Sequence, residues 1–225
     1  EKNKIDAQYE KKSLEEHELA KVIENLRNDE LSGINVTTPF KQKIIKYLDE
    51  LTLESKDTNS VNTIFKKNNK IIGHNTDIAG FELAVRKTKF ELSNKKALIL
   101  GSGGVVSSII YALKKLDVSD IFLMNRTIEN TNKIKERFKY INVIKWGEKY
   151  DFDIIVNATS VGLRETDKLE IDYESFGINK LFFDLIYNPK KTYFLKKAEQ
   201  FSNFIENGAM MFIYQAHQSF TIWHN

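Results

Sequence analysis

One lysine and one aspartate stand in unusual company in this chain. Lys41 closes the segment Gly33-Ile34-Asn35-Val36-Thr37-Thr38-Pro39-Phe40-Lys41, and Asp77 closes Asn75-Thr76-Asp77. Asn35, Thr37 and Thr38 set side-chain donors and acceptors before Pro39, which drives Thr38 out of helical geometry. Lys41 then falls near the start of a helix expected over 41–50, where a cation beside the positive end of the helix dipole is unfavourable and needs another reason to be present. Proton transfer is such a reason. As an ammonium, Lys41 can stabilise a developing alkoxide and deliver a proton; as a neutral amine it can remove one in the reverse direction. Asp77 would orient it. The competing reading is a surface lysine paired with a helix-capping aspartate, which contributes little to stability.

A second constellation, Gly101-Ser102-Gly103-Gly104-Val105, follows the apolar run Ala97 to Leu100 and opens a helix expected to reach Leu116. Glycines at a strand-to-helix turn let the backbone approach a pyrophosphate, whose charge the free amides and helix dipole hold. Val106 occupies the place of the third glycine of the usual fingerprint, so a plain glycine turn without ligand is the alternative. At the end of the next strand a NAD-preferring site carries an acid for the ribose hydroxyl, whereas this chain has Asn125-Arg126-Thr127. A neutral donor, an arginine and a hydroxyl remove repulsion toward a 2'-phosphate and add a charge-assisted fork. NADP is therefore favoured over NAD, against a solvated Arg126 and a Thr127 that only caps its helix. Asn62 and Gln215 offer amides suited to a polyhydroxylated small molecule, or to buried backbone groups. Tyr187 is a phenol near the crevice or a core aromatic, and His217 reads as solvated or packed.

Holding these groups requires an α/β chain of two domains. Residues 1–80 read as a small α/β substrate domain, with helices near 13–28 and 41–50, a strand near 33–36 and a hairpin at Asn68-Asn69. Residues 81–205 read as a Rossmann-like, doubly wound parallel-sheet NADP domain. Its strands are expected at 97–100, 121–124, 142–146, 153–156 and 180–186, with helices capped by Thr127 and Thr192. Residues 206–225 read as a C-terminal helix returning to the first domain, its polar residues Gln215, His217, Gln218 and Ser219 facing crevice or solvent.

Composition narrows the function classes. The net charge of +3 comes from 34 basic and 31 acidic residues, interspersed, which speaks against a nucleic-acid or polybasic membrane surface. The absence of cysteine excludes disulfides, thiolate nucleophiles and Cys-ligated metals, and four scattered histidines make no metal site. No apolar stretch approaches the roughly 20 residues of a membrane span, so the expected location is cytoplasmic. The first residues read as a polar connection whose preceding strand lies upstream.

The ordered motifs resemble the shikimate dehydrogenase family. They are Asn35-Val36-Thr37 with Pro39-Phe40-Lys41, Val61-Asn62-Thr63, Asn75-Thr76-Asp77 with Gly80, the glycine loop, Asn125-Arg126-Thr127, Asn157-Ala158-Thr159-Ser160 with Gly162, Asp184 with Tyr187 and Pro189, and Gly208 with Met211 and Gln215. The resemblance covers essentially the whole chain and implies NADPH-dependent reduction of 3-dehydroshikimate to shikimate by a monomer or homodimer. It implies Lys41 and Asp77 as the catalytic pair. Thr37, Asn62, Asp77, Tyr187 and Gln215 would contact substrate, and Gly101 to Val105, Asn125 to Thr127, Leu185 and Gly208 the dinucleotide. The chain departs from the family where a second basic residue usually follows the Asn-Arg-Thr element: that place is Asn130, and Lys133 is the nearest substitute. The family's carboxylate-holding Ser-x-Ser element has no counterpart here. A quinate/shikimate dehydrogenase of broader specificity and a catalytically silent dinucleotide-binding protein are the alternatives.

Overall fold

The computed structural model describes residues 5–224, and its secondary structure gathers into two sheets. The first has strands β1 (Gly33–Asn35), β2 (Glu50–Leu51), β3 (Thr63–Lys67) and β4 (Lys70–His74) in the order β1-β3-β4-β2. β3 and β4 form the expected hairpin, and both turn residues, Asn68 and Asn69, have positive φ, as a two-residue hairpin turn requires. Helix α1 (Leu19–Arg27) buries Leu19, Ile23 and Leu26, a one-face spacing, against the Ile64 and Ile71 side of that sheet.

No helix spans 41–50. The chain makes a 3-10 run over Lys43–Tyr47, then β2, then α2 (Leu53–Thr58). The reason is tertiary: the Asp49 carboxylate accepts from the Ile71 amide at 2.7 Å and from both Arg27 guanidinium nitrogens. That pins the segment in extended form beside β4. These partners hold the Asp49 carboxyl below the usual range, with Arg27 the larger cause.

The second sheet is parallel throughout and has six strands in the order β10-β9-β8-β5-β6-β7. They are β5 (Lys96–Leu100), β6 (Asp120–Met124), β7 (Asn142–Ile144), β8 (Ile154–Asn157), β9 (Leu181–Asp184) and β10 (Phe204–Glu206). Helices α3 (Asp77–Thr88), α4 (Val106–Lys115), α5 (Ile128–Arg137) and α6 (Tyr193–Gln200) complete the doubly wound fold, with α7 (Ala209–His224) after β10. Thr192 caps α6 by accepting from the Leu195 amide. Thr127 stands at the cap position of α5, but its hydroxyl makes no cap hydrogen bond. β10 was not foreseen, being a three-residue edge strand with an exposed Phe204. The strand order reverses between β5 and its neighbours β6 and β8, the switch point where open α/β sheets bind ligands.

α7 returns along α3, the helix that leads from the small sheet into the large one. A Cβ on Gly80 would stand 2.8 Å from the Met211 carbonyl oxygen, so only glycine permits this closeness. At the far end Trp223 donates its indole N–H to the Ile64 carbonyl at 3.1 Å and fills the space over Gly33. The helix is thereby tied to both bodies.

Candidate active site

Lys41 and Asp77 meet. Lys41 Nζ stands 2.6 Å from Asp77 Oδ2, with side chains only 15% and 9% exposed. Each is placed by its backbone. The Val61 amide donates to the Lys41 carbonyl, tying the loop after β1 to the segment that leads into β3. Asp77 is the first residue of α3 and its amide donates to Asn75 Oδ1; a carboxylate at a helix N-terminus is favoured by the dipole. Thr38-Pro39 is a cis peptide, and Thr38 lines the crevice beside Lys41.

The other oxygen of Asp77 accepts from Asn62 Nδ2 at 2.8 Å. The Asn62 carbonyl oxygen accepts from the Thr76 amide at 2.8 Å and from the Thr63 hydroxyl at 3.1 Å. Asn62 is thus buried and fully engaged as an orienter of Asp77, and a substrate contact would replace one of these bonds. Gln215 turns its Nε2 to the Phe212 carbonyl of its own helix and its Oε1 toward Thr76 Oγ1 at 3.4 Å. Tyr187 is 47% exposed and stacks on Phe212 with centroids 5.1 Å apart. Thr37 is exposed at the rim, and His217 lies exposed on the outer side of α7.

A cavity of about 1050 Å³ runs from Thr38 and Lys41 past the glycine turn to Arg126 and Trp146. Its walls include Gly101 to Val105, Asn125, Arg126, Leu185 and Tyr187. Gly101 has φ +110°, and a Cβ there would be 2.9 Å from the Ala158 carbonyl oxygen, so the turn and the close approach of β8 both demand glycine. Around Gly104 the space is open, so an anion can approach the N-terminal end of α4 and its dipole, where the Val106 and Ser108 amides already donate to the Gly103 and Val105 carbonyls. Gly208 does not line the cavity; it packs beneath it, where a Cβ would meet the Leu185 carbonyl oxygen at 2.0 Å. Asn125 folds back to the Thr127 carbonyl at 2.9 Å. Lys133 is not among the lining residues, but Lys168 is.

Sequence reasoning missed Trp146, Lys168 and the hydroxyls of Thr76 and Ser219. For Trp146 a signal existed, since it follows the third strand on the ligand-binding edge of the sheet. Lys168 comes from a long loop whose course no local pattern encodes.

Beneath the crevice, Asp184 accepts from Thr192 Oγ1 at 2.5 Å, Asn157 Nδ2 at 3.0 Å and the Ile186 amide at 3.0 Å. Burial nevertheless pushes its carboxyl up to about 6. A carboxylic acid whose folded-state value is raised binds its proton more readily folded than unfolded. Its ionisation therefore costs stability above pH 6, and that cost is relieved as pH falls through 6 toward the unfolded value near 4. Asp184→Asn keeps the acceptor for Asn157 and Ile186 and lets Thr192 accept instead of donate. We expect this variant to be at least as stable as the parent at pH 7, and to lose a contribution on the order of 3 kcal/mol to the pH dependence between 4 and 6. Urea midpoints at pH 4.5 and 7 check it; equal pH dependence in both proteins would refute the assignment.

A lysine held by a carboxylate at the mouth of a glycine-turn crevice is the arrangement of a two-lobed, dinucleotide-dependent dehydrogenase. Residues 1–64 match the family model described as the shikimate dehydrogenase substrate binding domain, and residues 82–185 that of shikimate / quinate 5-dehydrogenase. The chain is 52% identical to the NADP(+) shikimate dehydrogenase of Pelagibacter ubique over 99% of its own length and 84% of the relative's. It superposes on crystalline shikimate dehydrogenase from Aquifex aeolicus with a TM-score of 0.85 and 35% identity, covering 93% of this chain and 78% of that one. The Thermus thermophilus shikimate 5-dehydrogenase, crystallised with NADP(H) and shikimate, gives a TM-score of 0.83 at 27% identity over 91% and 77% of the two chains. The chain belongs to the shikimate dehydrogenase family.

Proposed function

We propose that this protein catalyses the reversible NADPH-dependent reduction of 3-dehydroshikimate to shikimate, with Lys41 and Asp77 as its proton-transfer pair. The observation that carries the reading is the 2.6 Å contact of Lys41 with Asp77 beside the glycine-turn cavity. NADP fits the residues present: open space at Gly104, the positive end of α4 beside it, and a guanidinium on the wall past the second strand. When bound it supplies or accepts the hydride at its nicotinamide. Gly101 to Val105 would take the pyrophosphate, and Asn125, Arg126 and Thr127 the 2'-phosphate ribose, Thr127 having its hydroxyl uncommitted to a cap. Leu185 would flank the nicotinamide, with Gly208 supporting it from below.

In the reduction, the carbonyl carbon receives the hydride while its oxygen gathers negative charge. Lys41 holds a proton 2.6 Å from Asp77 and gives it to that oxygen; in the oxidation direction it takes the hydroxyl proton back. Asp77 orients Lys41 and a neighbouring substrate hydroxyl. Thr37, Asn62, Tyr187 and Gln215 complete the hydrogen-bonding wall that a polyhydroxylated ring requires. In this reading residues 1–80 form the substrate domain, 81–205 the nucleotide domain and 206–225 the returning helix, in a cytoplasmic monomer or homodimer.

The test is the change in nicotinamide absorbance when the protein is mixed with shikimate and NADP, and separately with quinate and NAD. Reduction of NADP by shikimate is expected. Comparable rates in the second mixture would favour the broader quinate/shikimate activity. NADP binding without turnover in either would sink the catalytic reading. Arg126→Ala should weaken NADP binding by ~10–100-fold, the loss of one charge-assisted fork, while changing NAD binding by less than ~2-fold. Calorimetric titration of both nucleotides measures this, and parallel losses would place Arg126 outside the phosphate site.

A further inference from the structure

Behind the Lys41–Asp77 pair lies a line of hydroxyls and amides, buried at Asn62, Thr63 and Ser219 and reaching the surface at Asn35 and Tyr9. Asn62 donates to Asp77 Oδ1 and accepts at its own Oδ1 from Thr63 Oγ1 at 3.1 Å. When its proton goes to Asn62, the Thr63 hydroxyl accepts from Ser219 Oγ at 2.7 Å and from Asn35 Nδ2 at 3.2 Å. Ser219 accepts in turn from Asn35 Nδ2 at 3.1 Å, and Asn35 Oδ1 accepts from the Tyr9 phenol at 3.0 Å. Every donor in this sequence points the same way, toward the Asp77 carboxylate. Such chains polarise one another and strengthen their terminal bond.

We propose that Ser219, on α7, is a positioning residue for the catalytic pair, fixing the Asn62 amide through Thr63; this rests on the reading of Lys41 and Asp77 as the proton-transfer pair. An asparagine side chain can present either its NH2 or its oxygen to a neighbour after a half-turn. Here the choice matters, because the oxygen would face the Asp77 carboxylate and repel it. The Thr76 backbone amide, donating to Asn62 Oδ1 at 2.8 Å, sets the NH2 toward Asp77, and Ser219 reinforces that setting by supplying the donor that lets Thr63 give its proton to the same oxygen. Ser219, Thr63 and Asn62 are 1%, 0% and 3% exposed, so water does not replace a missing member. A local alternative exists for the serine proton, the Gln215 carbonyl one turn earlier at 3.1 Å. The Thr63 contact is shorter by 0.4 Å, from 2.7 and 3.1 Å, and it alone completes the line.

Ser219→Ala, Thr63→Val and the double variant test the proposal, with steady-state kinetics on shikimate and NADP, and hydrogen exchange of the Asn62 side-chain amide followed by NMR. Ser219→Ala should lower kcat by ~10-fold, with a smaller rise in the KM for shikimate because Asn62 also faces substrate, while the Kd for NADP stays within ~2-fold. The Asn62 amide should lose its protection from exchange. The double variant should be no slower than Thr63→Val, because both changes cut the same line. Unchanged kcat in Ser219→Ala, a protected Asn62 amide, or losses that multiply in the double variant would each overturn it. A parent protein without shikimate turnover, whose Asn62 amide is still released by Ser219→Ala, would overturn the proposed function and leave the positioning role standing.

Discussion

Lys41→Ala is expected to lower kcat by ~10³-fold, combining the loss of a general acid with that of a charge placed for the developing alkoxide. The KM for shikimate should move far less, because that charge interacts with the reacting oxygen more strongly in the transition state than in the ground state. The substitution also strips Asp77 of its cation in a place where its side chain is only 9% exposed. Asn62 remains to hold one carboxylate oxygen, and the helix N-terminus remains beneath it. Folding and NADP affinity should therefore survive. Stopped-flow hydride transfer and calorimetric binding on the same preparation decide the matter. A variant that transfers hydride at the parental rate but binds shikimate weakly would show that Lys41 only holds substrate.

Asp77→Asn should be nearly as damaging to turnover, for a different reason. The carboxylate now serves two donors at once: Lys41 Nζ on Oδ2 and Asn62 Nδ2 on Oδ1. An amide of the same shape has one acceptor and one donor end, so whichever way it turns, one NH2 hydrogen confronts another donor. The partner left behind is a partly buried ammonium without its counter-charge, and removing one member of such a pair commonly costs ~3–5 kcal/mol. We expect kcat to fall by ~10²–10³-fold and thermal stability to drop, with NADP affinity unchanged. Loss of NADP binding would mean that the effect spreads through the fold. Retention of turnover would mean that the Lys41–Asp77 ion pair is structural and that Asp77 takes no part in the chemistry.

Much of this was legible in the sequence, and the reasons differ from residue to residue. The second body could be read because its strands are buried on both faces and therefore appear as unbroken apolar runs, as at Ala97 to Leu100. The glycine turn could be read because Gly101 answers a backbone demand that no other residue meets. The pair Lys41 and Asp77 could be read because each closes a distinctive polar motif, Thr37-Thr38-Pro39-Phe40-Lys41 and Asn75-Thr76-Asp77, although the helix expected to begin at Lys41 does not form. Residues 41–50 misled because local composition allows a helix, while Asp49 is captured by Arg27 and Ile71 from elsewhere in the chain. The line through Ser219 was invisible for a related reason. It joins residues of the N-terminal segment, β1, α7 and β3 that approach only after folding, and a serine in an otherwise apolar helix carries no mark of which way it will face.

The helix that begins with Asp77 has a further consequence. Its first residue faces Lys41, which is anchored beside the small sheet, but its body belongs elsewhere. Ile78, Phe81, Ala84 and Val85 are sealed among the strands and helices of the large parallel sheet, with Phe81 4.9 Å from Phe183 of β9. The carboxylate itself stays with Lys41, since Asp77 follows closely on β4 and is held by Asn62, and Asn75 and Thr76 before it bond to Ser60 and Asn62. Acid and counter-ion thus share the small body while the rest of the helix is rooted in the large one. A tilt of one body against the other would be taken up along α3 and not in the gap between ammonium and carboxylate.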